Sequence, residues 1–219
     1  MRNIILPSAY LAPVQYYAYL YACPEAQVEV CDNYAKQTYR NRCLVAGANG
    51  VQALTVPIIK PQNGKSLMRD IRISDHGNWR HLHWNALLSN YERSPFFDYY
   101  ADDLRPFYEQ PIEFLADFNE GLQRTVLTAL DLEPRFVRTH AYKSTPDADT
   151  LDLRQVISPK HAADHDPRFK SVPYYQVFAH KHGFLPNLSI LDLLFNMGPE
   201  ARLVLRDSLS LPHLRQHQL

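Results

Sequence analysis

The stretch Arg2-Asn3-Ile4-Ile5-Leu6-Pro7, followed by a loop through Pro13, the run Val14–Cys23, Pro24 and Gln27–Cys31, organises the rest of the chain. Arg2 to Leu6 has the apolar density of a short buried strand, and Pro7 ends it because proline cannot donate to a ladder. Val14–Cys23 holds four tyrosines but keeps apolar spacing that suits a helix, which Pro24 stops. Gln27–Cys31 alternates polar and apolar side chains, as a strand does. Strand, Pro-rich turn, helix and strand open a βαβ unit, so the two strands are expected to pair in parallel.

Outward from that unit, Cys43–Ala46 and Gln52–Ile59 read as two strands. Gly47-Ala48-Asn49-Gly50 joins them in a turn of the hairpin kind. Asp70–Ser74 alternates with Ile71 and Ile73 on one face and reads as another strand. From Trp79 the period changes: Trp79, Leu82, Ala86 and Leu87 predict a helix over 78–91, capped by Asn78. An aromatic helix over about 95–108 follows. After Pro111, Leu115, Phe118, Leu122, Val126 and Ala129 step by helical intervals and give the strongest helix of the chain. Phe136–Tyr142 predicts a strand. Lys143 to Pro173 is polar and rich in Pro and Asp, and reads as a long connection of doubtful order. Ser189 ahead of Asp192 and an apolar run is a helix-start pattern, and Gly198-Pro199 starts another helix over 199–208. The expectation is an α/β fold: an N-terminal βαβ-type sheet, a helical block (about 78–132) packed on it, and a C-terminal helix pair. No repeat and no linker appears, so residues 1–219 are taken as one domain.

Composition narrows the function classes. The 219 residues carry 23 basic and 23 acidic side chains, 46% hydrophobic residues, 14 Tyr, 10 Phe and 16 Pro against 7 Gly. Such a chain is globular and balanced in charge, so a general polyanion binder is not expected and nucleic acid is no partner. The apolar runs are too short to span a membrane and the N-terminus lacks a leader pattern. Three cysteines (Cys23, Cys31, Cys43) without a Cys-x-x-Cys spacing support neither a zinc knuckle nor a disulfide framework, which places the chain in a reducing cytoplasm. Phosphate-loop, dinucleotide, nucleophile-elbow and metalloprotease motifs are absent. His81 and His83 would point about 200° apart on a helix and cannot share an ion. His180 and His182 could share one on a strand but have no third ligand at a diagnostic spacing, so no metal site is assigned.

Charge is unevenly spread. Residues 36–80 hold eight cations against Asp70 and Asp75, a net of +6, whereas 81–133 hold three Arg against ten acids, a net of −7. Within the basic region, Asp32-Asn33-Tyr34-Ala35-Lys36-Gln37-Thr38-Tyr39-Arg40-Asn41-Arg42 packs an acid, three cations, three amides and two phenols directly after a strand of the parallel sheet. Ligands of such sheets bind beyond the carboxyl ends of the strands. This loop is therefore either a site for an anionic ligand such as a phosphate, held by charge-assisted bonds, or a structural ion-pair network.

The same residues carry a resemblance. Leu6-Pro7-Ser8-Ala9-Tyr10-Leu11-Ala12-Pro13 with Tyr16-Tyr17 resembles the opening element of the WbqC-like protein family. Asp32–Arg42, Leu54-Thr55-Val56-Pro57, the block His83-Trp84 with Tyr91, Ser94 and Pro95-Phe96-Phe97, and Pro186 to Gly198 are similar to its later motifs, in order from about residue 4 to 205. Many members carry a Tyr-Leu-Ser-Gly-like element before the position of Tyr174; this chain has a shorter polar stretch there. The resemblance implies a bacterial cytoplasmic protein linked, in some members, to surface-polysaccharide (O-antigen) gene sets.

Two functions are open at this point. As a transferase acting on a nucleotide-linked or amino sugar, the protein would hold phosphate or carboxylate with Lys36, Arg40 and Arg42, helped by Tyr39 and Asn41. Asp32 or His83 would be the general base, and Tyr10 and Tyr16 the aromatic wall of the pocket. Cys31 and Cys43 flank the motif and offer a thiol only if its pKa is lowered. As a non-catalytic module, the same pocket would bind a sugar, a phosphate or a protein partner. The partner expected in either case is a small anionic or sugar-nucleotide ligand; cofactor and oligomeric state are left open.

Overall fold

The computed structural model describes residues 3–61, 65–161 and 165–210. Arg2, assigned above to the first strand, and residues 162–164 of the polar connection lie outside the described residues. Strand β1 (Asn3–Pro7) leads through helix α1 (Val14–Ala22) to strand β2 (Glu25–Glu29), and the two strands pair in parallel with Ile4 opposite Ala26 and Leu6 opposite Val28. The βαβ opening is as expected, but β2 lies two residues earlier than Gln27–Cys31. The ladder stops at Glu29 because the Cys31 N–H donates to the Glu29 carboxylate (2.8 Å) rather than to a neighbouring strand.

Strands β3 (Arg42–Gly47) and β4 (Gly50–Thr55) form the expected antiparallel hairpin. Gly50 takes φ 102°, a left-handed setting that glycine accepts without strain. Beyond Thr55 the chain leaves the ladder, and the Val56 N–H goes to the Asn41 carbonyl (2.8 Å). The strand expected over Asp70–Ser74 is not formed. A 3-10 turn covers Met68–Asp70, and the following residues make single bridges, Arg72 with Phe114 and Ile73 with Ile58. Ile71 and Ile73 are buried, so the alternation marks an extended segment without a neighbour long enough for a ladder.

Helix α2 (Trp79–Tyr91) begins after Asn78, whose backbone is left-handed (φ 49°) and whose side chain caps nothing. Its inward face runs through Trp79, His83, Leu87 and Asn90, steps of four, four and three, and Leu82 is 59% exposed. The helix is thus rotated from the expected face, with a histidine where a leucine was expected. The aromatic helix splits into α3 (Phe97–Leu104) and α4 (Pro106–Glu109), because Pro106 lacks an N–H and starts a new helix. Helix α5 (Leu115–Ala129) buries Leu115, Phe118, Leu122 and Val126.

Strand β5 (Arg135–Arg138) is shorter than Phe136–Tyr142 and pairs in parallel with β2. The polar connection supplies a further strand, β6 (Thr150–Asp152), on the other side of β1. The sheet order is β5-β2-β1-β6, all parallel. The short helix α6 (Ala179–His182) precedes α7 (Ile190–Met197), whose N-cap Ser189 accepts from the Leu191 N–H, and α8 (Ala201–Asp207) closes the pair. One apolar cluster joins Ile4 and Leu6 of the sheet to Tyr17, Phe118, Phe195 and Leu205 of the helices. The architecture is mixed α/β. No helix among the described residues is long and apolar enough to cross a membrane.

Candidate functional site

The sheet order places β2 and β6 on opposite sides of β1, so the connections part at the carboxyl ends of the strands, where open parallel sheets take their ligands. Here protein side chains occupy that position. Arg154, just past β6, grips Asp152 through Nε (2.9 Å) and Nη2 (2.7 Å), and donates from Nη1 to Glu29 (3.0 Å) and to the Lys143 carbonyl (2.9 Å). Glu29 is fully buried and also accepts from the Thr139 hydroxyl (2.7 Å). The paired Asp152 carboxylate raises the Arg154 pKa, and Arg154 lowers that of Asp152 against its own burial. A buried carboxylate needs such partners, since leaving it unpaired would cost several kcal/mol, about 3–5.

Next to this network, Arg40 pairs with Asp32. Burial raises the Asp32 pKa, and the Arg40 guanidinium pulls it back. Asp32 Oδ1, Arg40 Nε and Asn119 Oδ1 are buried without a partner among the described residues. Asn119, from α5, donates to the Arg40 carbonyl (2.8 Å) and the Ser8 hydroxyl (3.1 Å), which fixes the loop against the sheet. On this inner side the Asp32–Arg42 loop forms the structural ion-pair network named as one of its two readings.

Its outer side is different. Tyr34, Lys36, Gln37, Asn41 and Arg42 line a cleft of about 470 Å³, closed across by Thr55, Ile58, Lys60, Pro61 and Ser66. Three cations and no carboxylate are among these lining residues. Lys36 and Lys60 are exposed, and neither has an ion pair among the described residues. Arg42 is half-buried and, among the described residues, spends only Nε, on the Thr55 hydroxyl (3.2 Å). Asn41 donates to the Val56 carbonyl (2.8 Å), which locks the loop to the end of the hairpin. Burial raises the Tyr34 pKa while Arg40 and Arg42 pull it down, which places the phenol in their field. Such an arrangement can accept an anion in charge-assisted bonds and seat an apolar or aromatic portion against Tyr34 and Ile58.

The remaining expected site residues lie elsewhere. Tyr10 and Tyr16 are 0% and 1% exposed, so neither ring offers a face to a ligand, which corrects their assignment as a pocket wall. Tyr10 stacks on Phe118, and its hydroxyl bonds His83 Nδ1 (3.0 Å) and the Tyr108 hydroxyl (2.9 Å). Tyr39 is buried beside Cys43, and burial raises both pKa values. A thiol moved in that direction is not the activated kind. His83 is buried against the edge of Trp79 and also bonds the Thr55 backbone; desolvation lowers its pKa to about 4. It is a neutral packed imidazole, and neither it nor Asp32 is among the residues that line the basic cleft. Lys60 and Tyr34 complete the cleft. The first stood in the basic region and the second in the polar loop, but only the folded hairpin shows that they face one another.

A family model described as the WbqC-like protein family matches residues 8–166. The chain is also 29% identical over 190 residues to the uncharacterized protein Rv1507c of Mycobacterium tuberculosis, covering 77% of this chain and 81% of that protein. No solved structure matches the chain significantly.

Proposed function

Since the chain belongs to the WbqC-like protein family, we propose that the Lys36–Arg42–Lys60 cleft binds the phosphates of a nucleotide-linked sugar, and that the protein is a bacterial transferase of surface-polysaccharide assembly. The observation that carries this reading is the concentration of three cations, without a facing carboxylate, around an open space of about 470 Å³. A diphosphate matches that charge, and Tyr34 with Ile58 suits the flat base or sugar attached to it. Asp32, the expected base, does not line this cleft: its Oδ1 is buried and its other oxygen is held by Arg40, so the group that would act as base is left unassigned. A non-catalytic binding module is the second reading. It draws on the commitment of Asp32 to Arg40 and of His83 to Tyr10 and the Thr55 backbone.

Thermal shift and calorimetry with UDP-glucose, UDP and inorganic phosphate test the site. Stabilisation that falls from the diphosphates to phosphate and vanishes in Arg42→Gln supports it; equal or absent shifts in both proteins remove it. Stabilisation by a second substrate class on top of the first separates the transferase from the module.

A further inference from the structure

Three helices enclose a second cleft, of about 580 Å³, lined by Phe96, Tyr99, Tyr100, Asp103, Asp131 and Arg202 among others. It shares no lining residue with the basic cleft. Tyr99 is 78% exposed, and its ring meets Tyr100 edge-on at 4.8 Å between centroids. The buried Tyr100 holds the Tyr99 ring by its edge, and most of that ring stays open to solvent. Phe96 forms another wall, lying so close over Gly198 that a Cβ there would meet its ring at 2.6 Å.

The carboxylates stand where local preferences oppose them. Asp103 lies in the last turn of α3 and Asp131 just past α5, at the negative ends of two helices, positions that favour cations. Asp131 is also left-handed (φ 51°), the glycine position of a helix end in which the Leu132 N–H bonds the Leu127 carbonyl and the Asp131 N–H that of Thr128. Arg202 engages Asp131 at 2.5 Å, and Asp103 has no ion pair among the described residues. With Arg202 neutralised by Asp131, the exposed Tyr99 ring beside the unpaired Asp103 carboxylate and two helix C-termini gives a local field that favours positive charge.

We infer that this cleft binds an organic cation, a protonated or quaternary amine, seated over Tyr99 against Asp103. The test is calorimetry and saturation-transfer NMR on the full chain at pH 6.5 in 0.15 M NaCl, with choline and with glucosamine beside its N-acetyl derivative. Choline and glucosamine are expected to bind and the uncharged N-acetylglucosamine not. Tyr99→Ala and Asp103→Asn are expected to weaken choline binding tenfold or more, and Arg42→Gln to leave it unchanged. Asp131→Gly separates a ligand role from a structural one: it is expected to raise Tm by a few degrees while weakening choline at least twofold. Equal binding of glucosamine and its N-acetyl form, amine binding that survives Tyr99→Ala, or no amine binding at all overturns the proposal.

Discussion

The inner and outer sides of one loop, Asp32–Arg42, both draw on its arginines and behave as opposites. On the inner side Arg40 and Asp32 have side chains only 6% and 11% exposed and neutralise each other beside the Glu29–Arg154 pair. On the outer side Lys36 and Arg42 face a cleft that Lys60 makes more positive still. Two arginines two positions apart thus carry different assignments, one holding the fold and the other available to a ligand. What separates them is the presence of a carboxylate within reach, not the local sequence.

The largest effect that could break this contrast belongs to the deepest pair. Arg154→Ala strands the fully buried Glu29 and should cost about 3–5 kcal/mol in a urea unfolding series; a loss below about 1 kcal/mol would mean that Glu29 is reached by water. Arg40→Gln should follow at about 3 kcal/mol, because Asp32 is then left buried and alone. If it proved neutral, the inner side would be as open as the outer.

Acid titration sharpens the same line through His83. The unfolded imidazole takes up its proton near the ordinary value of 6.5, whereas the native one resists until about 4. The unfolded state therefore binds more protons across that window. Stability should fall by about 1–3 kcal/mol as pH drops from 6.5 to 4. Denaturation midpoints at several pH values should show a shallower slope in His83→Gln, and an unchanged slope would return His83 to solvent. The smallest stability effect belongs to Arg42→Gln, within about 0.5 kcal/mol. It should nonetheless abolish the protection that phosphate or UDP-glucose gives the wild type. A several-kcal/mol loss there would make the outer side structural after all.

Local signals in the sequence carry much of the fold. The β1-α1-β2 unit, the hairpin, the apolar stripe of α5 and the Ser189 cap are each set by residues within one element, and each forms close to where it was expected. What the sequence conceals is long-range. β6 has a single apolar residue, Leu151, in a polar segment, and becomes a strand because β1 offers an edge. The partners Glu29 and Arg154 stand 125 positions apart, so nothing near Glu29 announces its cation. For the candidate site, the polar loop was legible as a loop, but its division into two faces was not, since alternation has no meaning in irregular backbone. The α2 face was misread for a related reason: with Leu82 and His83 adjacent, hydrophobicity favours the leucine, while the Tyr10 hydroxyl and the Thr55 backbone supply what a buried histidine needs.

The strand order also has a history written into it. β1 sits between β2, made within the next two dozen residues, and β6, which follows some 145 residues later. At a synthesis rate of about 5–20 residues per second, roughly 6 to 25 seconds separate the completion of β2 from that of β6. During that interval the β1 edge at Asn3, Ile4 and Ile5 lacks the strand that later pairs with it, and Pro7 blunts only its far end. The β1 edge thus waits for its second neighbour until late in synthesis, and the three residues Thr150–Asp152 are what close it.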